Sequence, residues 1–167
     1  MRETEEFIFF WKTRDIYSQW HSSVFHENDI KFICAEQYMM YRKALYFHDD
    51  VQIHNILGTS NPKLIKKYGR TVKGYVDHIW NGIRQCIVYQ GNYLKFSQNP
   101  ELLKQLLATS PKILVEASPH DMIWGIGYDQ DHPAVTDISL WKGQNLLGYT
   151  ITQLRNDLLC HVHTINE

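Results

Sequence analysis

Cysteine is scarce in this chain: Cys34, Cys86 and Cys160 are the only three in 167 residues. Three cannot build a disulfide framework, which excludes a small secreted disulfide scaffold and points to a reduced, cytoplasmic setting. No apolar run approaches the roughly 20 residues that a membrane helix needs, so no membrane partner is expected. The opening Met1-Arg2-Glu3-Thr4-Glu5-Glu6 has no basic-then-apolar order, so no secretory signal is expected. Neither sign of charge prevails: 17 Lys and Arg face 18 Asp and Glu, a formal net charge of −1. That balance argues against a protein that lives by coating phosphate backbones, while leaving room for a local basic patch. CxxC and HExxH are both missing. The nine histidines are scattered, His161 and His163 in a tail where fraying is expected, so neither a metal nor a cofactor is implied. With no repeat, linker or low-complexity segment, one domain over 1–167 is expected, long enough to bury a core.

Aromatic residues, by contrast, are abundant, at 13% with five Trp and ten Tyr. They fill cores, and Trp and Tyr also line pockets that hold flat rings while offering a polar edge. Along the chain, Phe7 to Trp11 reads as a short strand, and His26 to Lys31 reads as loop with a turn at Glu27-Asn28-Asp29. Helices are expected from about Ala35 to Phe47 and from Asp50 to Leu57, the second ended by Gly58. A third opens at Asn61-Pro62 as cap and first position and ends near Gly69. A fourth is expected from Tyr75 to about Tyr89, with Val76, Ile79, Trp80, Ile83 and Ile87 as its buried stripe. Asn99 caps a fifth from Pro100 to Ala108, with Leu102, Leu103, Leu106 and Leu107 inward. Lys112 to Ala117 reads as a buried strand, and a last helix runs from Gln144 or Leu147 to Leu159. The fold class is α+β, predominantly α-helical, with a small sheet.

Three groups of residues can carry chemistry. On the Ala35 helix, seven residues bring the direction back to within about 20°, so Glu36, Met40, Lys43 and Phe47 share one face. A carboxylate and an ammonium flank apolar side chains there, either reaching the rim to solvent or forming a pocket wall with an acid and an amine at two depths. The second group follows the Ile113 strand: Glu116 at its end, then Asp121, Trp124 and Gly125 in a turn where Gly125 and Gly127 allow close backbone approach, for a ligand or for packing. The third is Trp80 with Arg84 one turn on, then Lys95, Gln98 and Asn99. Arg84 and Lys95 suit a phosphate, Trp80 suits either core or stacking, and Gln98 and Asn99 suit caps or base edges.

These segments, in this order, resemble the YbiA-like family, also called the NADAR superfamily. The matching pieces are Tyr17-Ser18-Gln19-Trp20, the run from Ala35 to Ala44, Gly69-Arg70 with Val72, Trp80 with Arg84, Lys95 to Asn99, Leu114 to Pro119 with Asp121, Ile123 to Gly127, and Trp141 to Gly148. They span about residues 7 to 158. The chain departs at Ser18-Gln19-Trp20, where members usually show a Ser-Asn-Phe-like triplet.

The resemblance implies a YbiA-like fold and N-glycosidase chemistry: hydrolysis of the bond between ribose 5-phosphate and the pyrimidine amine of early riboflavin intermediates. Alternatives in the same family are removal of ADP-ribose from modified guanine in nucleic acid, or a non-catalytic ADP-ribose-binding module. The expected partner is a small ribosylamine phosphate or an ADP-ribose-bearing substrate, with nucleic acid as a conceivable carrier. Glu36, Lys43 and Asp121 suit the catalytic roles, because breaking a C–N glycosidic bond builds charge on the sugar and needs a proton for the leaving amine. Lys43 would attack C1′ through an imine or instead anchor a phosphate or hydroxyl. Trp20, Trp80, Arg84, Gln98, Asn99, Glu116, Trp124 and Gly125 would contact substrate. A basic run at Lys63, Lys66, Lys67, Arg70 and Lys73 is either a solvated face or the reason for a nucleic-acid substrate.

Overall fold

The computed structural model describes residues 1–165, with side chains as far as residue 160. In chain order the elements are β1 (Arg2–Glu3), β2 (Phe7–Phe10), β3 (Phe25–Glu27), β4 (Ile30–Phe32), α1 (Ala35–Tyr46), α2 (Asp50–Leu57), α3 (Pro62–Arg70), α4 (Asp77–Ser97), α5 (Pro100–Leu107), β5 (Ile113–Glu116) and α6 (Leu146–Ile165), with two short 3-10 turns before α6. The architecture is α+β and mainly helical, as expected from the sequence. The chain gathers into two compact units: residues 1–18 with the segment from Pro100 onward, and residues 19–99.

The first unit holds a three-stranded sheet in the order β1-β2-β5. β2 runs parallel to β5, Phe9 opposite Val115, and antiparallel to β1. All four residues of β2 are buried, the pattern of a strand covered on both faces. Phe7, Phe9, Val115, Ala117, Ile126 and Val135 form one core cluster, with Trp141 packed against it. The far edge of β5 is closed by side chains. Asn145 donates Nδ2–H to the Leu114 carbonyl at 3.0 Å and accepts the Glu116 N–H at 2.9 Å. Thr152 accepts the Leu114 N–H at 3.0 Å. An edge that would otherwise template another strand is thus paired. Buried Arg155 adds a bond to the Thr109 hydroxyl at 3.1 Å and one to the Lys112 carbonyl. α6 continues past Leu159, and the side chains of His161 and His163 lie outside the described residues.

The second unit is built around α1, which packs against α2, α3 and α4 and buries eight of its residues, Glu36 and Gln37 among them. Ridges approach closely where glycine leaves room. A Cβ on Gly69 of α3 would lie 1.8 Å from the Met40 sulfur, and one on Gly91 of α4 would lie 2.6 Å from the Tyr38 ring. Asp49 caps α2 through the Gln52 N–H at 3.1 Å and also accepts the Lys73 N–H at 2.8 Å, tying the segment after α3 to the start of α2. Asn61 caps α3 with Pro62 at its first turn, as read from the sequence.

Two expectations are corrected here. The His26–Lys31 loop is part of a hairpin, β3 and β4, turning at Asn28 with φ 51°. Phe25 and Phe32 pair across it with rings stacked at 5.6 Å, so two inward aromatics suffice to hold very short strands. The fourth helix starts at Asp77, two residues later than expected, and runs to Ser97, two turns longer. Tyr75 and Val76 precede it and are exposed, while the buried stripe continues through Val88, Gly91, Asn92 and Lys95. Polar Asn92 and Lys95 on that stripe conceal its continuation from a hydrophobic-pattern reading.

Candidate active site

Lys43 lies in the last turn of α1, half-buried, on the face it shares with Glu36 and Met40. Its Nζ donates to the Gly69 carbonyl at 2.9 Å. It stands 4.1 Å from the Tyr75 ring centroid and 5.6 Å from that of Trp80. Two aromatic faces and one carbonyl replace much of its water. Desolvation lowers the Lys43 pKa, and the negative charges of Asp77 and Glu36, which act the other way, do not offset it. The amine is therefore biased toward its neutral, nucleophilic form. A neutral amine can still donate one N–H to Gly69 while keeping its lone pair away from that axis.

Glu36 is buried at 5% exposure in the first turn of α1, and its N–H is held by the Gln19 carbonyl at 2.9 Å. Gln19 in turn accepts from Asn92 of α4 at 3.1 Å, and Asn92 also donates to the Val88 carbonyl at 2.8 Å. The residue at which the chain departs from the Ser-Asn-Phe-like triplet therefore fixes the start of the helix that carries Glu36. Trp20, next in sequence, is half-buried with the Lys66 ammonium 5.3 Å over its ring.

Trp80 is buried at 7% exposure and forms a wall beside Lys43. Arg84, one turn on, is half-buried, and its charge acts on the phenol of Tyr75. Tyr75 was not singled out by the sequence. It reads there as the first residue of the fourth helix, yet it precedes α4, lays its ring on Lys43 and donates its hydroxyl to Asp77 at 2.8 Å. The Gly69 carbonyl is equally invisible to side-chain reasoning.

Gln98 and Asn99 act as pins. Gln98 accepts the His26 N–H at 2.8 Å and donates to the His26 carbonyl at 2.7 Å, copying a strand partner for β3. Asn99 donates to the carbonyls of Val24 at 3.0 Å and Lys95 at 2.7 Å. Lys95, paired in the sequence reading with Arg84 as a phosphate anchor, is fully buried, and desolvation pushes its pKa down to about 7. An amine buried this completely is a poor phosphate anchor.

Glu116, Asp121, Trp124 and Gly125 are grouped in the other unit. Asp121 Oδ1 accepts the N–H groups of Ile123 at 2.8 Å and Trp124 at 2.7 Å, closing a tight turn. The carbonyls of Met122, Ile123, Trp124 and Gly125 receive the N–H groups of Gln144, Leu146, Leu147 and Asn145. This strap satisfies donors at the start of α6 that no helical carbonyl reaches. Gly125 is needed because a Cβ there would meet the Glu116 carbonyl at 2.8 Å. Of the two readings open for this turn, the backbone approach serves packing, and the strap holds Asp121 and Trp124 in a defined conformation at the end of β5.

A half-dry amine beside aromatic rings, with a buried carboxylate at the head of its helix, has the parts for attack on a sugar carbon and for proton movement. The comparisons with known proteins agree in direction. An N-glycosidase of Acanthamoeba polyphaga mimivirus is 39% identical over 166 residues, covering 93% of this chain and 98% of the viral protein. The chloroplastic riboflavin biosynthesis protein PYRR of Arabidopsis thaliana is 27% identical over 173 residues, covering 91% of this chain and 27% of the plant protein. The NMR structure of the E. coli protein YbiA superposes with a TM-score of 0.77 at 26% identity, covering 96% of this chain and 89% of that one. The NADAR domain matches residues 9–159, nearly the whole length, and the chain belongs to the NADAR family.

Proposed function

We propose that this enzyme, which acts on N-glycosyl bonds, hydrolyses the bond between ribose 5-phosphate and the pyrimidine amine of an early riboflavin-biosynthesis intermediate. Its named relatives support the bond type. The plant relative named for riboflavin biosynthesis supports the substrate. The observation that carries the chemistry is Lys43: half-buried, hydrogen-bonded to Gly69 and faced by Tyr75 and Trp80.

A sugar joined to an exocyclic amine opens to an imine. Neutral Lys43 adds to C1′ of that imine, forming a C–N bond. The pyrimidine amine then leaves with a proton supplied by Glu36, and the lysine remains as an imine of the open sugar. Water adds to C1′, the Lys43–carbon bond breaks, and the amine and an open-chain sugar phosphate are released. Trp80 would stack the flat base, Trp20 would line the rim, and Arg84 would hold the phosphate.

A second reading is removal of ADP-ribose from guanine, the same bond type on a larger substrate. The basic residues of α3 favour it. The deciding experiment incubates the protein with the ribosylaminopyrimidine phosphate and, separately, with an ADP-ribosylated guanine oligonucleotide, and follows release by mass spectrometry. Release from the first is expected. Release only from the second replaces the proposal with the alternative, and release from neither favours a binding module.

A further inference from the structure

The head of α1 has no side-chain cap of its own. Cys34 stands at the N-cap position with extended backbone and makes no side-chain hydrogen bond there, so the first N–H groups of the helix need partners from elsewhere. Gln37 makes one set of ties. Its Oε1 accepts the Ile33 N–H at 2.9 Å, and its Nε2 donates to the carbonyls of Ile56 at 2.9 Å and Thr59 at 3.2 Å. Glu36 depends on a different tie. Its N–H donates to the Gln19 carbonyl at 2.9 Å, so where Glu36 stands follows from where Gln19 stands.

Gln19 is itself held from α4. Its Oε1 accepts the Asn92 Nδ2–H at 3.1 Å, and the same Nδ2 donates to the Val88 carbonyl one turn back at 2.8 Å. Both amides are interior, Gln19 at 7% exposure and Asn92 at 0%. Asn92 Oδ1, however, is buried and has no hydrogen-bond partner among the described residues. A buried acceptor without a partner lowers stability, and leucine, of nearly the same shape, would fill that place on α4 without the penalty. The stability of the fold therefore does not account for an amide at this position. What leucine cannot supply is the donor that orients Gln19.

We propose that Asn92 is a positioning residue for the reaction: through Gln19 it sets where the buried Glu36 carboxyl stands, and the two amides act as a length-matched pair. The inference rests on the role given above to Glu36, which supplies a proton to the leaving amine. Shortening Gln19 by one methylene withdraws its Oε1 by about 1.5 Å, one C–C bond, out of hydrogen-bond reach of Asn92. Lengthening residue 92 by one methylene restores the summed reach of the two side chains and keeps the volume between the helices constant. Gln37 still anchors the head of α1 in either case, so Glu36 loosens while the helix stays in place.

The test compares the full chain with Gln19→Asn, with Asn92→Leu, and with Gln19→Asn and Asn92→Gln combined, by two readouts. The first needs no substrate: amide hydrogen exchange followed by NMR at the Glu36 N–H, with Met40 and Tyr41, whose N–H groups lie inside α1, as references. Exchange at Glu36 is expected to quicken about tenfold or more in each single variant, to stay unchanged at Met40 and Tyr41, and to return to the original rate in the combined variant. The second is turnover of the ribosylaminopyrimidine phosphate or the ADP-ribosylated guanine, whichever the protein cleaves. There kcat is expected to fall about a hundredfold with KM unchanged in the single variants, and to recover in the combined one. If Asn92→Leu does not fold, Gln19→Asn and its rescue by Asn92→Gln carry both readouts. Unaltered exchange at Glu36 in the single variants overturns the proposal, and so does faster exchange at Met40 and Tyr41 in step with Glu36, which marks a structural role. Faster exchange at Glu36 with full turnover overturns the role in the reaction. If neither substrate is cleaved, the reading of the reaction fails, and the exchange result by itself decides whether Asn92 places Glu36.

Discussion

At Lys43, desolvation by burial beside Tyr75 and Trp80 competes with the attraction of Asp77 and Glu36, and desolvation wins. If the neutral amine is the reacting species, turnover rises with pH as Lys43 loses its proton, with a midpoint below the ordinary 10.5. A pH–rate profile checks this. A limb centred at or above the ordinary lysine value would contradict it. Under borohydride the substrate's sugar should be trapped on Lys43, and Lys43→Ala should lose both the adduct and at least about a hundredfold in kcat. A phosphate anchor would show a raised KM and no adduct. Helical arithmetic on the sequence places Glu36, Met40 and Lys43 on one face. It does not supply Tyr75 or the Gly69 carbonyl, which come from other elements and reach Lys43 only through the fold.

Among elements, the β5 edge rests on one amide. Asn145 stands with φ 50°, in the left-handed region, and serves both Leu114 and Glu116. Asn145→Ala orphans a buried carbonyl and an N–H and keeps the strained backbone. A loss of about 3 kcal/mol in chemical denaturation is expected. A loss under about 1 kcal/mol would mean that water replaces the amide. A helix start with a local signature was legible: Asn61-Pro62 marks α3. The far end of α4 was not, because Asn92 and Lys95 occupy its buried face and break the apolar period. The β3–β4 hairpin was missed for a related reason. Three residues per strand leave too short an alternation to stand out, and the pairing depends on Phe25 meeting Phe32 and on Gln98 from α4.

For the molecule as a whole, Lys95 ties folding to pH. Its folded pKa is about 7, against the ordinary 10.5, because burial penalises the charged amine. Between those values unfolding takes up a proton, so stability climbs as pH rises, by at most about 1.4 kcal/mol per pH unit. Cys34, whose folded pKa lies above its ordinary 9.0, works in the opposite direction once the unfolded thiol begins to ionise. Denaturation between about pH 7 and 8 avoids the thiol, and Lys95→Met should reduce the slope there, leaving the part that Lys43 contributes in the same direction. An unchanged slope in that variant would assign the effect to another group. None of the helices among the described residues is long and apolar enough to cross a membrane.

The sequence by itself determined the family, the mainly helical α+β class, most helix starts and the face on which Glu36 and Lys43 lie. All of these are encoded within a few turns of chain, by spacing, caps and motif order. Tertiary structure decided which carbonyl and rings surround Lys43, that Lys95 is interior, that Gln98 and Asn99 pin a strand, and that Asp121 and Gly125 belong to the strap at the head of α6. These outcomes depend on burial and on partners distant in sequence. Desolvation and hydrogen-bond satisfaction are properties of the packed neighbourhood, and no local pattern specifies that neighbourhood.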